Sequence, residues 1–168
     1  ALGGVFLPRY RETIVVNVTV PEVSAEEAAG LVSSSGARTA KVKVSGRRDR
    51  RSADLERLEA VRSALGRSGK VRIDVNGAWD LDTARENLPQ MDRAAGGLEY
   101  VEQPCATVYD LANLRRAVDV PIAADESIRL SAHPLEVVHR RAADVAILKI
   151  APLGGVRRAL DMAERLGL

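Results

Sequence analysis

TAKVKVSGRRDRRSADLERLEAVRSALGRSGKVRIDVN, residues 39–76, holds two short apolar stretches of period two on either side of a stretch with a helical period. In TAKVKVS (39–45) alternation sets Ala40, Val42 and Val44 on one side of a strand and Lys41 with Lys43 on the other. ADLERLEAVRSALG (53–66) then reads as an amphipathic helix, and KVRIDVN (70–76) as the next strand. Strand, helix and strand in that order form a βα unit feeding a parallel neighbour, because parallel strands need a connection about as long as a helix.

The same alternation extends in both directions. TIVVNVTV (13–20), LEYVEQ (98–103), VPIAAD (120–125) and DVAILKI (144–150) are further strand candidates. Between them lie helical stretches: SAEEAAGLVSSS (24–35), with Ser24 and Glu27 in capping-box register, LDTARENLPQMDRAA (81–95), VYDLANLRRAV (108–118), LSAHPLEVVHRRA (130–142) and VRRALDMAERLG (156–167). Pro89 and Pro134 are expected to kink or delay their helices, and Gly66, Gly69, Gly96 and Gly97 mark helix exits. Six βα units of about 25 to 30 residues each fit either an open doubly wound sheet or a (β/α)8-type TIM barrel. No GxGxxG follows the first strand, which lowers the dinucleotide-binding version of the former. A whole barrel takes about 250 residues, so six units make an incomplete one. The expected division is a linker over residues 1–12 and a partial barrel over 13–168.

Composition narrows the function. The 168 residues are 46% hydrophobic and 29% charged, a balance that suits a folded domain with a real core. No apolar run approaches the roughly 18 residues of a spanning helix, and ALGGVFLPRYRE at the start lacks the regions of a secretory signal, so no membrane is expected and cytoplasmic residence is. One cysteine, Cys105, excludes an internal disulfide and a thiol cluster for zinc. GRRDRR (46–51) is short, contains an Asp and has no interleaved aromatics, with aromatics at 3% overall, so it reads as a solvated loop and not as a nucleic-acid contact. Arginine dominates the basic residues; only Lys41, Lys43, Lys70 and Lys149 are lysines. An ammonium can titrate when its surroundings press on it, whereas a guanidinium cannot.

In a barrel each strand delivers its C-terminal end to one face, where chemistry is built. Those ends carry Lys41 and Lys43, then Asp74, Glu102, Asp125 and Lys149. Taken singly, each has a plain structural role. Asn76-Gly77 can close a hairpin, Glu102 can open a turn at Pro104, Asp125 or Ser127 can cap a helix, and Lys149 can snorkel. His133 and His139 read as surface residues, Cys105 and Trp79 as packing. Jointly, ionisable groups late in five successive apolar strands argue for a site, since buried charge is costly unless paired or bound to metal. Three converging carboxylates suit a hard divalent cation such as Mg2+, with Mn2+ as its substitute. The lysines of the second and sixth strands then flank a substrate, and the mutual repulsion of Lys41 and Lys43 favours a neutral amine that can act as a base.

These residues resemble the enolase superfamily, in its muconate-lactonizing-enzyme-like branch. The match rests, in order, on the KxK pair at Lys41 and Lys43, DVN (74–76), VEQP (101–104), ADES (124–127) and LKIAPLGG (148–155). More narrowly, IDVNGAWD, EYVEQPCAT and PIAADESIR are similar to the actinobacterial o-succinylbenzoate synthase family, and the resemblance runs from about residue 13 onward. It implies a Mg2+ held by Asp74, Glu102 and Asp125, with Asn76 and Glu126 supporting the ligands. It implies that Lys43 removes the proton alpha to the substrate carboxylate, through a metal-stabilised enediolate, and then protonates the departing hydroxyl. Lys149 acts as a cation across the ring and Lys41 tunes Lys43. The reaction implied is dehydration of 2-succinyl-6-hydroxy-2,4-cyclohexadiene-1-carboxylate, a small-molecule carboxylate of menaquinone biosynthesis. Members of the family also carry a capping domain and two further strands that these residues lack, so little activity is expected of this stretch alone, with a second chain as one source of the missing strands. Two alternatives stay open: racemisation or epimerisation of an N-acylamino acid or dipeptide with the same lysines, and a non-catalytic half-barrel module.

Overall fold

Val20, Ala40, Val42, Val71, Ile73, Val101, Ile122 and Ala124 are fully buried, every second residue along successive strands, because that face of the sheet packs on helices. The computed structural model describes residues 12–167. Six strands, β1 (Val18–Val20), β2 (Thr39–Lys43), β3 (Lys70–Asp74), β4 (Leu98–Glu102), β5 (Ile122–Ala124) and β6 (Val145–Ala146), form one sheet in sequence order, every neighbouring pair parallel. A doubly wound sheet reverses its strand order at a switch point. This sheet never does, so the partial barrel is the architecture observed.

The helices are α1 (Ala25–Ser35), α2 (Arg51–Leu65) after a 3-10 turn at Arg48–Arg50, α3 (Leu81–Ala94), α4 (Val108–Arg115), α5 (Glu126–Arg129), α6 (Glu136–His139) and α7 (Val156–Arg165). Ser24 and Glu27 close the expected capping box of α1. Leu58, Leu88, Met91, Leu111 and Leu114 bring α2, α3 and α4 onto the sheet and are each at most 1% exposed. Each such side chain contributes about 1.5–3 kcal/mol by leaving water.

Several expected elements are shorter in the structure. The strand expected over 13–20 has ladder structure only at Val18–Val20, and that over 144–150 only at Val145–Ala146. Both lie at sheet edges, where one neighbour supplies the hydrogen bonds. The helix expected over 130–142 reduces to α6, which starts after Pro134, a residue with no N–H to give and a constraint on His133 before it. Pro89 by contrast lies inside α3, which runs through it. The expected linker over 1–12 falls almost wholly outside the described residues.

Register brings the strand ends to one level. Lys43 pairs with Asp74, Asp74 with Glu102 and Glu102 with Ala123. One irregularity makes this possible: Val71 pairs with Leu98 but Arg72 with Tyr100, so Glu99 is an extra residue bulged out of β4. Its carboxylate accepts from Arg72 at 2.5 Å and pairs with Lys70 at 2.5 Å, and Arg72 also lies over the Tyr100 ring. Above the sheet the βα loops interlock. A methyl group on Gly46 would overlap the Ala78 side chain, and Gly77, at φ 75°, approaches the backbone of Ala106.

Candidate active site

Lys41, Lys43, Asp74 and Glu102, within their strands, are on the face opposite the helices, as β periodicity requires, and Asp125 and Lys149 follow the ends of β5 and β6. Lys41 in β2 aims its ammonium between two carboxylates, 2.8 Å from Asp74 Oδ2 and 2.7 Å from Glu102 Oε1. Lys149, beyond β6, places Nζ 2.5 Å from Asp125 Oδ2 and 4.0 Å from the same Glu102 oxygen. Asp74, Lys41, Glu102, Lys149 and Asp125 thus form one row of alternating charge across five strands. Glu102 and Asp125 are 1% and 0% exposed. Two carboxylates buried this deeply stay in the fold because cations stand between them.

Local backbone aims these groups. Asn76 takes the left-handed conformation at φ 50°, and its N–H donates to Asp74 Oδ1 at 3.1 Å, fixing that carboxylate. The Asn76-Gly77 pair therefore closes a βα turn and not a hairpin. The Asn76 side chain donates to Glu126 Oε1 at 3.0 Å, so the two expected supporting residues touch one another. Asp125 stands at the N-cap position of α5, but its carboxylate makes no capping bond and takes Lys149 and Arg129 instead.

The two neighbouring lysines of β2 are unlike. Burial works to lower the Lys41 amine, but its hydrogen bonds and ion pairs with Asp74 and Glu102 outweigh it and hold the ammonium above its ordinary range. Lys43 is half-buried one layer higher, opposite Asp74 in the ladder, and among the described residues its amine has no hydrogen-bond or ion-pair partner. Burial, with the charges of Asp74 and Asp125, pushes the Glu102 carboxyl up against the opposing Lys41. Cys105, fully buried, has its thiol pushed up to about 12 by burial and is inert packing. His133 and His139 are exposed, and Trp79 is buried.

As the side chains are placed, no three His, Cys, Asp or Glu among the described residues stand close enough to hold a metal, because the two amines lie between the acids. The donor chemistry still suits a hard divalent cation: three carboxylates from adjacent strands face one region, and the Lys41 ammonium supplies positive charge between two of them.

Sequence reasoning missed three groups. Arg129 donates to Asp125 Oδ1 at 3.0 Å and to Glu126 Oε1 at 2.7 Å, and the four-residue spacing in ADESIR was its signal. Asp54 and Arg57 on α2, paired at 2.7 Å, hold the backbone on both sides of Val44: Arg57 donates to the Lys43 carbonyl at 3.2 Å, and Asp54 accepts from the Ser45 N–H at 3.0 Å. Gln103, wholly buried beyond Glu102, carries no charge to mark it.

Comparisons with known proteins agree with this fold. Residues 23–167 match the family described as enolase C-terminal domain-like. The o-succinylbenzoate synthase of Thermobifida fusca is 60% identical over 158 residues, 94% of this chain and 49% of that protein. The chain spans about half the length of the curated relatives it matches. Among solved structures, the L-Ala-D/L-Glu epimerase of Bacillus subtilis superposes with a TM-score of 0.79 at 33% identity, over 94% of this chain and 46% of that one. An enolase-superfamily member from Roseovarius nubinhibens, complexed with magnesium, superposes at 0.74 with 27% identity, over 92% and 41%.

Proposed function

Since the chain belongs to the enolase C-terminal domain-like family, we propose that it forms the catalytic part of a Mg2+-dependent o-succinylbenzoate synthase acting in menaquinone biosynthesis in the cytoplasm. The observation that carries this reading is the row of three acids and two amines at the strand ends, in a chain 60% identical to a protein of that activity. Asp74, Glu102 and Asp125 would hold the cation, and the magnesium-bearing neighbour supports that choice of metal, with Mn2+ as its substitute. When bound, the metal supplies Lewis acidity to the substrate carboxylate, which lowers the barrier to losing the adjacent proton.

The chain's own groups do the rest. Lys43, whose amine is not tied to a carboxylate, takes the proton alpha to the carboxylate of 2-succinyl-6-hydroxy-2,4-cyclohexadiene-1-carboxylate. The same amine, now an ammonium, returns a proton to the departing hydroxyl, so water leaves from the face on which the proton was taken and the ring becomes aromatic. Lys149, on the far side of the acids, faces the negative charge that develops on the substrate. Lys41, held as a cation by Asp74 and Glu102, stands two residues from Lys43 on the same face of β2. Asn76 and Glu126 support Asp74 from the loop side.

A second reading is favoured by one observation: amines approach the acids from both sides, and the Bacillus subtilis neighbour is an epimerase. Under it Lys43 and Lys149 serve as acid and base on opposite faces. One experiment decides. The full natural chain is incubated in heavy water with Mg2+ and either the cyclohexadiene carboxylate or a set of N-acylamino acids and dipeptides. Formation of the aromatic product supports the synthase, and deuterium exchange at an alpha carbon without loss of water supports the racemase. Neither result in a folded, Mg2+-binding protein would sink both.

A further inference from the structure

The third acid of the row does not belong to a strand. Ladder pairing between β4 and β5 ends at Glu102 with Ala123, and β5 ends at Ala124. Asp125 follows at φ −117° and ψ −74°, off the extended backbone of a strand, so no ladder sets its direction. Its N–H is nevertheless satisfied, by a side chain from the neighbouring strand end: Gln103 Oε1 accepts it at 3.0 Å.

Gln103 is 0% exposed and takes the left-handed conformation at φ 41°, which an L residue with a long side chain adopts only where its surroundings hold it. The carboxamide accounts for that hold. Its oxygen accepts from the N–H groups of Asp125 at 3.0 Å and Ser127 at 3.1 Å. Its nitrogen donates to the Cys105 carbonyl at 2.9 Å and the Ser127 hydroxyl at 2.7 Å. All four hydrogen-bonding positions of the group are used, and the partners fix which end is oxygen. The backbone carbonyl of the same residue accepts from the Gly77 N–H at 2.6 Å, and its N–H donates to Ala123. One residue thus joins the loops that follow β3, β4 and β5, the three that carry Asp74, Glu102 and Asp125.

The geometry points to Gln103 as a positioning residue: its carboxamide sets the direction of the Asp125 carboxylate relative to Glu102, and so the spacing of the acids offered to a divalent cation. It rests on the metal reading above for its consequence, though not for the hydrogen bonds themselves. Only a carboxamide of this length does the task. A glutamate would still accept the Asp125 N–H but would turn a carboxylate toward the Cys105 carbonyl, and a methionine of similar length would abandon every partner.

The test uses the full natural chain and two readouts: binding of Mn2+ alone, followed by electron paramagnetic resonance, and hydrogen exchange of the Asp125 and Ser127 amides. Gln103→Met is expected to weaken Mn2+ binding at least tenfold and speed both exchange rates at least tenfold. Gln103→Glu keeps the acceptor and should keep Asp125 protected. Leu114→Ala, a core truncation in α4, should lose stability and leave Mn2+ binding within twofold. Wild-type Mn2+ affinity in Gln103→Met overturns the proposal, whether or not exchange changes, and so does equal weakening in Leu114→Ala. If Gln103→Met does not fold, Ser127→Ala takes its place: Mn2+ binding at least twofold weaker and Asp125 exchange at least threefold faster support the role, and no change in both defeats it. Should the wild type bind no Mn2+, the metal reading falls, and amide exchange alone decides whether Gln103 holds Asp125.

Discussion

Lys43 stands apart from the two amines of the row because, among the described residues, no carboxylate pins it. Replacing it with Ala in the full natural chain is expected to slow turnover about 10^2–10^4-fold, the usual share of a general base, with the melting temperature unchanged. Lys43→Arg should be as slow, since a guanidinium does not give up its proton. A Lys43→Ala enzyme within tenfold of wild type would exclude the base assignment. Beneath this residue the Asp54–Arg57 pair is 1% and 6% exposed and ties α2 to the end of β2. Arg57→Met leaves the buried Asp54 carboxylate without its cation and the Val23 and Lys43 carbonyls without their donor, and should cost about 3–5 kcal/mol in denaturant unfolding. Asp54→Leu added to it should recover part of that loss, because the stranded charge is then gone. The acids and amines were legible in the sequence, because a charge late in an apolar strand breaks the pattern around it. Gln103, Asp54 and Arg57 were not: an uncharged amide and an ordinary helical pair disclose their roles only when the chain is folded and their partners are seen.

Among elements, the outward sheet face and the long helices followed from hydrophobic period alone, and α1 began at the Ser24 cap as its sequence required. Ends were less legible, because the number of neighbouring strands, and not propensity, decides how far β1 and β6 extend. At the other end of β6, Asp144 joins three elements. It accepts Arg115 of α4 at 2.6 and 2.8 Å and the Ile122 N–H of β5 at 3.0 Å. Burial works to raise its carboxyl, but the guanidinium and the N–H prevail and hold it below its ordinary 3.8. A carboxylate lowered in the fold adds stability that is complete above its unfolded value and is lost as pH falls through its folded one. Asp144→Asn should therefore be less stable at neutral pH and show a shallower decline on the acid side. An unchanged slope, measured by urea unfolding across that range, would remove the group from the account.

For the molecule as a whole, the outer strands β1 and β6 each have one neighbour among the described residues, and the stretch before β1 leaves Ile14, Val15 and Val16 exposed at 75%, 83% and 66%. An apolar edge of this kind pairs with whatever strand it meets. Residues 1–168 expressed by themselves should associate as concentration rises, and Val15→Lys should reduce the association seen by light scattering. A wild-type stretch that stays monomeric at all concentrations would contradict this. The bulge at Glu99 has a longer reach than its place low in the sheet suggests. Had the pairing of Val71 with Leu98 simply run on residue by residue, Glu102 would fall opposite Val75, with its side chain among the helices, and Asp74 would face Val101. Inside and outside along β4 are thus a matter of odd and even counting, begun four residues below the acid. A lineage that loses Glu99 alone trades the bulge for an unbroken ladder and keeps its acid opposite Asp74.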